Sequence, residues 1–178
     1  MKRRWIPWAL LAGIVAGWAC EPSRIERVYY EDFEGELCDG APCGWERSRG
    51  TAEQARWVET IHPGEHALAL TGDVTVRGPS SSATLFGPNL LMQMTVRCDA
   101  GSRLAVDVVI ADELGSRALG VDAFAPTEWD QVSVTLGDGG DIRSSTIQGI
   151  VFTKTGTGTC EIGEIFLDDI FFGDDIVC

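Results

Sequence analysis

Residues 90–97 read LLMQMTVR, in which apolar side chains recur at every second position. These positions are Leu90, Met92, Met94 and Val96. The polar positions between them are Gln93, Thr95 and Arg97. Successive side chains of a β-strand point to opposite faces of the sheet. The alternation therefore predicts a strand with one buried face and one exposed face.

The same alternation recurs at residues 104–110 and 132–136, and no long segment has apolar residues at helical spacing. Shorter candidate strands, bounded by glycine, proline and aspartate turns, lie at 28–33, 56–60, 67–70, 74–76, 83–86, 118–121, 147–153 and 161–172. Ten or eleven short strands at this spacing predict an all-β, two-sheet antiparallel β-sandwich. Residues 137–141, which read GDGGD, are interpreted as a hairpin turn.

The last candidate strand differs from the others because both of its faces are apolar. Ile165 and Leu167 lie on one face, and Phe166 and Ile170 lie on the other. Such a strand is either central and covered on both sides, or it lends aromatic area to a ligand groove.

The composition suits one folded domain and argues against a nucleic-acid partner. The chain has 178 residues, 44% of them hydrophobic, and 27 acidic against 14 basic side chains, which gives a net charge of -13. This length fits a single packed domain. A polyanionic phosphate backbone would be repelled, so we expect no nucleic-acid partner.

The N-terminus has the pattern of an export signal. Lys2, Arg3 and Arg4 form a positive region, and residues 5–19 carry no charge. The uncharged run is shorter than the ~20 residues that a membrane-spanning helix needs. We therefore expect a signal helix at residues 1–19, a short tether at 20–27 and the folded domain at 28–178.

The cysteines of an exported chain indicate disulfides. Cys38 and Cys43 flank a turn-forming stretch, which favours a bridge between them. Cys98 continues the inward face of residues 92–96, and Cys160 begins the last strand, so a second bridge is expected between these two. Cys178 is left to be free, to pair with Cys160 instead, or to pair with another molecule.

Sequence motifs of catalysis are missing. There is no G-x-S-x-G, phosphate loop or dinucleotide fingerprint, and no zinc-binding Cys or His spacing. His62 and His66 flank a Pro-Gly turn and are interpreted as solvated. The acidic residues that could serve a glycosidase, Asp107, Asp112, Glu113 and Asp122, are interpreted as surface charge. We therefore expect that the protein is not an enzyme.

Ala19-Cys20 at the end of the signal resembles the lipobox of bacterial lipoproteins. This resemblance implies that Cys20 carries diacylglycerol and holds the protein on a membrane of the cell envelope. Glu21 is not the aspartate that marks inner-membrane retention in some bacteria, which favours the outer membrane. The alternative is plain secretion, with Cys20 in a disulfide.

Four segments in order resemble jelly-roll sandwiches of the galactose-binding-like type, the fold of many carbohydrate-binding modules. They cover most of residues 28–172 and read DFEG followed by GW at 32–35 and 44–45, GEHALAL at 64–70, EWDQVSVTL at 128–136, and IFLDDIFF at 165–172. The resemblance implies a jelly-roll β-sandwich behind the signal helix.

The resemblance also implies candidate sites. A structural calcium in such modules joins the opening Glu to the closing Asp, here Glu34 and Asp168, although two acidic residues on a solvated sheet edge would look the same. Sugar binding needs exposed aromatic planes. Candidates for this role are Tyr29, Tyr30, Trp45, Trp57 and Phe124.

Among the aromatic candidates we favour Trp57 with its neighbour Arg56 as the ligand-binding pair, and we expect Trp129 in the core. The expected function is that of a noncatalytic, membrane-anchored, extracytoplasmic binding domain, with polysaccharide as the guessed ligand. The alternative is a structural or assembly subunit of an envelope protein complex. An exposed aromatic groove would favour the first function, and a flat apolar patch would favour the second.

Overall fold

The computed structural model describes residues 24–38, 41–60, 64–124, 126–136 and 141–171. They form a short 3-10 helix at Ala52–Gln54 and fourteen β-strands. The strands are β1 (Arg24–Glu31), β2 (Leu37–Cys38), β3 (Ala41–Pro42), β4 (Glu46–Arg49), β5 (Ala55–Glu59), β6 (His66–Thr71), β7 (Val74–Arg77), β8 (Ser81–Thr84), β9 (Asn89–Cys98), β10 (Arg103–Asp112), β11 (Gly115–Phe124), β12 (Asp130–Leu136), β13 (Thr146–Thr155) and β14 (Thr159–Phe171).

The strands form two six-stranded antiparallel sheets and one small ladder. Sheet I has the order β12-β9-β14-β6-β5, and β1 also pairs with β14. Sheet II has the order β11-β10-β13-β7-β4, and β8 also pairs with β13. The small ladder joins β2 to β3. This architecture confirms the predicted all-β jelly-roll sandwich.

The core forms between the inward faces of the two sheets, as the alternation predicts. Every second residue of β9 is fully buried, and β10 repeats the pattern from the other sheet. The four predicted inward side chains of β9 have no exposed surface: Leu90, Met92, Met94 and Val96. Full burial of one such side chain stabilises the fold by about 1.5–3 kcal/mol, so this layer holds the two sheets together.

The first strand begins earlier than expected. Residues 24–27 were assigned to a polar tether, but they belong to β1, where Arg24 pairs with Phe171 and Arg27 pairs with Asp168. The ladder with β14 supplies the backbone hydrogen bonds and cross-strand partners that stabilise these polar residues in a strand. Their low hydrophobicity concealed this strand in the sequence.

The expected hairpin at residues 137–141 is wrong, because the strands on either side of it do not pair with each other. β12 pairs with β9 in sheet I, and β13 pairs with β10, β7 and β8 in sheet II. The chain therefore crosses from one sheet to the other after Leu136. Two-residue strands such as β2 and β3 are too short to give a periodic pattern, and they were not predicted.

The last strand is central in sheet I. β14 pairs with β9 along one side, and along its other side it pairs first with β6 and then with β1. Its register shifts between Ile162 and Ile165, which is a bulge in the ladder with β9. The inward residues on both sides of the bulge remain fully buried.

Both expected disulfides are present. Cys38 and Cys43 are joined across the β2–β3 ladder, and Cys98 is joined to Cys160 where β9 meets β14. The described residues contain no free cysteine. The second bridge links two core strands that are 62 residues apart in sequence.

Several expectations lie outside the described residues: the signal at 1–19, the lipidated Cys20, His62, the aspartate-glycine segment 137–140 and Cys178. The side chains of Asp122 and Phe124 also lie outside them. Within the described ranges no helix has the length and apolarity required to cross a bilayer.

We expect the two disulfides to contribute unequally to the free energy of unfolding. Closing a loop removes conformational entropy from the unfolded chain, by about 4 kcal/mol for the long Cys98–Cys160 loop and about 2 kcal/mol for the short Cys38–Cys43 loop. The double variant Cys98→Ala/Cys160→Ala should therefore lose more stability in urea denaturation than Cys38→Ala/Cys43→Ala. Equal losses would contradict the expectation.

Candidate functional site

The outer face of sheet I, which points away from the core, carries a row of side chains across four strands. Tyr30 of β1 lies opposite Phe166 of β14, Phe166 lies opposite Gln93 of β9, and Gln93 lies opposite Ser133 of β12. Residues that face each other across antiparallel strands share one face of the sheet. The amide of Gln93 donates to the Ser133 hydroxyl at 3.3 Å.

Tyr30 and Phe166 form a stacked aromatic pair at one end of this row. Their ring centroids are 5.0 Å apart and their planes differ by 18°. The Arg27 guanidinium carbon lies 4.2 Å from the centre of the Phe166 ring. Tyr30 is 49% exposed and Phe166 is half-buried, so the pair presents an aromatic surface to solvent.

Arg27 is held in place by Asp168, the residue opposite it on β14. Its Nε donates to Oδ1 at 2.8 Å and its Nη2 donates to Oδ2 at 3.3 Å, a two-point contact between guanidinium and carboxylate. The hydrogen bond from Arg27 to Asp168 raises the pKa of the guanidinium. Desolvation, followed by the nearby Asp32 carboxylate, raises the pKa of the Tyr30 hydroxyl.

A second pair of arginine and aromatic ring lies on the same face. The Arg97 guanidinium carbon is 5.4 Å from the Trp129 ring centre, and Arg97 Nη2 donates to Glu161 Oε2 at 2.5 Å. Arg97, Glu161, Ala69 and Arg56 lie opposite one another across β9, β14, β6 and β5. Trp129 was expected in the core, but it is half-buried beside Arg97, because it precedes β12 and shares the outward parity of Gln131 and Ser133.

Arg56 and Trp57, the favoured ligand-binding pair, point to opposite faces of sheet I. Arg56 is exposed and points to the outer face of sheet I. Trp57 has the opposite parity, lies opposite the buried Leu68 and packs against the core. Its indole donates to the Phe33 carbonyl at 2.6 Å. Trp57 is thus half-buried and held by the fold, and it does not stand as an open platform.

His66 is placed differently from the expectation of a solvated turn. It begins β6, is half-buried, and stacks on Trp57 with a centroid distance of 3.5 Å. Its Nδ1 lies 2.6 Å from Glu34 Oε2, while the backbone N–H groups of Glu65 and His66 donate to Glu34 Oε1 at 2.8 and 2.9 Å. These contacts hold the loop after β1 against the start of β6.

The two residues of the expected calcium site have different partners. Glu34 is engaged by His66 and two backbone N–H groups, and Asp168 is paired with the Arg27 guanidinium. A calcium ion bound by Asp168 would lie beside a fixed positive charge. All four carboxylate oxygens of Glu34 and Asp168 have hydrogen-bond partners, so a calcium ion shared by the two residues would have to replace these contacts. Calcium there stays a prediction from the resemblance, and a melting temperature lowered by chelator would support it.

The neighbouring Asp169 has a structural role. It is fully buried and accepts hydrogen bonds from the backbone N–H groups of Phe86 and Gly87, at 2.6 Å and 3.0 Å. A Cβ at Gly87 would stand 1.9 Å from the carbonyl oxygen of Ile170, so only glycine allows this approach. The contacts fasten the segment before β9 to β14.

The outer face of sheet II differs in chemistry. The half-buried outward residues of its central strands β10 and β13 include Ala105, Asp107, Val109, Val151 and Thr153. Phe152 is the one aromatic residue of these two strands, and it is fully buried in the core. Among the described side chains, both contacts between an arginine and an aromatic ring therefore lie on sheet I.

Tyr30 was among the aromatic candidates, whereas Arg27 and Arg97 were missed. The apolar character of both faces of the last strand was the one sequence signal that pointed to Phe166. No local pattern marks the two arginines, because each acquires its role from a residue on another strand.

Comparisons with known proteins identify the fold. No family model matches this sequence, and no curated protein matches it. The CBM22-1 xylan-binding domain of Xyn10C from Paenibacillus barcinonensis superposes with a TM-score of 0.54 at 15% identity, over 82% of this chain and 94% of that one. The family 11 carbohydrate-binding module from Clostridium thermocellum, in complex with a β-1,3-1,4-mixed-linked tetrasaccharide, gives 0.52 at 13% identity, over 80% and 94%.

The K3 cleaved adhesin domain of Lys-gingipain from Porphyromonas gingivalis gives a TM-score of 0.51 at 16% identity, over 82% of this chain and 99% of that one. At such identities the likeness concerns the fold alone. The chain has the jelly-roll fold found in carbohydrate-binding modules, in agreement with the four motifs.

We expect Glu34 to make the fold sensitive to acid. The hydrogen bond from His66, followed by those from the backbone, lowers the pKa of Glu34 from its ordinary value of 4.5. A carboxyl group with a lowered pKa stabilises the fold above its unfolded pKa, and this contribution is lost as the pH falls through the folded value.

Melting temperatures measured from neutral pH to below 4.5 should show a shallower acid decline for Glu34→Gln than for the wild type. Glu36→Gln, which removes an exposed carboxylate from the same loop, is the matched control and should keep the wild-type slope. Identical slopes for all three proteins would refute the role of Glu34.

Proposed function

We propose that this chain is a noncatalytic, exported domain that binds polysaccharide through the outer face of sheet I. The observation that carries the proposal is the exposed Tyr30 ring stacked on Phe166 beside Arg27. Sugar rings present apolar C–H faces and polar edges, so they are bound by aromatic surfaces flanked by hydrogen-bonding groups.

The Tyr30 surface is prepared for binding before any ligand arrives. Phe166 supports the ring from one side, and the Asp168 carboxylate fixes Arg27 over Phe166. A side chain that is already ordered loses little conformational entropy when a ligand binds. Gln93 and Ser133 continue the same row with amide and hydroxyl groups that suit sugar hydroxyls.

The ligand class of the proposal draws on the structural neighbours. One is described as xylan-binding and another was solved with a mixed-linked tetrasaccharide. The fold alone does not exclude catalysis, since a bacteriophage CBA120 tailspike domain described as enzymatically active matches with a TM-score of 0.51 at 9% identity. The noncatalytic proposal is supported by the missing catalytic motifs.

The alternative of a structural or assembly subunit lacks a supporting patch among the described residues. Of the five exposed large hydrophobic side chains in the described ranges, Tyr30 belongs to the proposed sugar site and shares β1 with Ile25. The other three lie on separate segments and are Leu37, Phe86 and Leu114. Apolar side chains exposed singly are usual on soluble proteins.

We expect Tyr30→Ala to weaken polysaccharide binding by tenfold or more, which corresponds to about 1.4 kcal/mol. Affinity electrophoresis and titration calorimetry against xylan and mixed-linked β-glucan would measure it. Leu114→Ala removes an apolar side chain that is 95% exposed in the β10–β11 turn of sheet II, and it should bind as the wild type does. Unchanged binding in Tyr30→Ala would contradict the proposed site.

Export and anchoring form the second part of the proposal. The two disulfides and the charge pattern of residues 1–19 support export to an oxidising compartment. A lipid on Cys20 would tether the domain to a membrane of the cell envelope. The outer membrane is proposed because the residue after the cysteine is Glu21 and not the aspartate that marks inner-membrane retention in some bacteria.

Lipidation at Cys20 is tested by metabolic labelling with palmitate in a bacterial host. The wild-type protein should incorporate label and partition with membranes, and Cys20→Ala should do neither. Palmitate label that persists in Cys20→Ala would show that Cys20 is not the lipidated residue.

A further inference from the structure

We infer that the sugar-binding site is extended, with the Arg97–Trp129 pair as a second contact for the same linear, uncharged polysaccharide chain that lies on Tyr30. This inference rests on the proposed function and adds the shape and charge of the ligand. The two contacts are connected along β9 of sheet I.

The register of β9 sets the distance between the two contacts. Gln93 lies opposite Phe166, and Arg97 is four residues further along the same strand. At about 3.4 Å per residue, the two positions are about 14 Å apart along β9, a span that a chain of several sugars covers and a single sugar does not. Trp129 lies at the same level of the sheet as Arg97, because the residue after Trp129, Asp130, lies opposite Val96.

The two contacts are built in the same way. In each, a guanidinium faces an aromatic ring and is held by a carboxylate of β14 that lies directly opposite it in the ladder. One set consists of Arg27, Phe166 and Asp168, and the other consists of Arg97, Trp129 and Glu161. An arginine held in this way fixes the position of the ring beside it and leaves donors at its edge for a ligand.

The surface between the two contacts is mostly polar and uncharged. Thr95 lies between Gln93 and Arg97 on the outward side of β9, and Gln131 lies opposite Thr95 on β12. Together with Ser133 they offer amide and hydroxyl groups, which can donate to and accept from sugar hydroxyls. Glu164 of β14 is a further half-buried carboxylate near Arg27 and Tyr30.

The charge of this face favours an uncharged ligand. Arg27 and Arg97 are each paired with a carboxylate, and Arg56 lies near Glu53. An anionic polysaccharide would therefore meet the two arginines of the contacts already paired with carboxylates, and it would approach a chain of net charge -13. An uncharged polysaccharide avoids this repulsion.

The experiment measures affinity against chain length. Wild-type protein is titrated calorimetrically with xylo- and cello-oligosaccharides from dimer to hexamer, and with oligogalacturonate hexamer as the anionic probe. We expect the hexamer of one uncharged series to bind at least tenfold more tightly than its dimer, and oligogalacturonate to bind more weakly than that hexamer. Trp129→Ala should weaken hexamer binding at least tenfold and leave dimer binding unchanged.

Two further variants keep the test interpretable. Trp129→Phe retains an aromatic plane and should keep most of the length dependence, and Leu114→Ala should match the wild type at every length. Circular dichroism and the melting temperature show whether each variant is folded. If Trp129→Ala is unfolded, Arg97→Met takes its place in the test. Arg97→Met should then bind the hexamer more weakly than Trp129→Phe does, and equal hexamer binding by the two variants would overturn the second contact.

The outcomes separate this inference from the proposed function. Equal affinity for dimer and hexamer, or a folded Trp129→Ala variant with unchanged hexamer binding, would overturn the extended site while the Tyr30 site stands. If oligogalacturonate binds more tightly than the uncharged hexamers do, the inference that the ligand is uncharged is wrong. If no uncharged oligosaccharide binds to the wild type at any length, the proposed function fails and this inference fails with it.

Discussion

The pairing of β9 with β14 is the interaction on which the rest of the structure depends. The two strands are central in sheet I, and their inward residues carry much of the core. The Cys98–Cys160 disulfide joins them at one end. Because side chains alternate, the pairing that buries Met92 and Leu167 also turns Gln93 and Phe166 outward, side by side. The core therefore determines the composition of the outer face.

The bulge in β14 brings residues from both ends of this strand onto the outer face of sheet I. After the register shift between Ile162 and Ile165, β14 exchanges β6 for β1 as its neighbour. β1 then brings Tyr30 against Phe166. Residues 161 and 166 would lie on opposite faces of a regular strand, so the bulge is the feature that allows Glu161 and Phe166, and with them two arginine-supported aromatic contacts, to lie on one face.

The fold could be predicted from the sequence further than the site could. Period-two alternation at residues 90–97 and 104–110 depends only on which face is buried, and this is a local property. Arg27 and Arg97 acquire their roles through register with Asp168 and Glu161, which are more than sixty positions away. Trp57 shows the opposite error: its polar neighbours suggested exposure, but pairing with Leu68 turns the ring inward.

Sheet I, and not sheet II, is the proposed binding face. Chemical-shift mapping of backbone amides during titration of isotope-labelled protein with xylohexaose and cellohexaose tests it most directly. The perturbed amides should cluster on β1, β9, β12 and β14, around Tyr30, Gln93 and Trp129. Perturbations confined to β10, β13 and β7 of sheet II, or spread without a cluster, would contradict it.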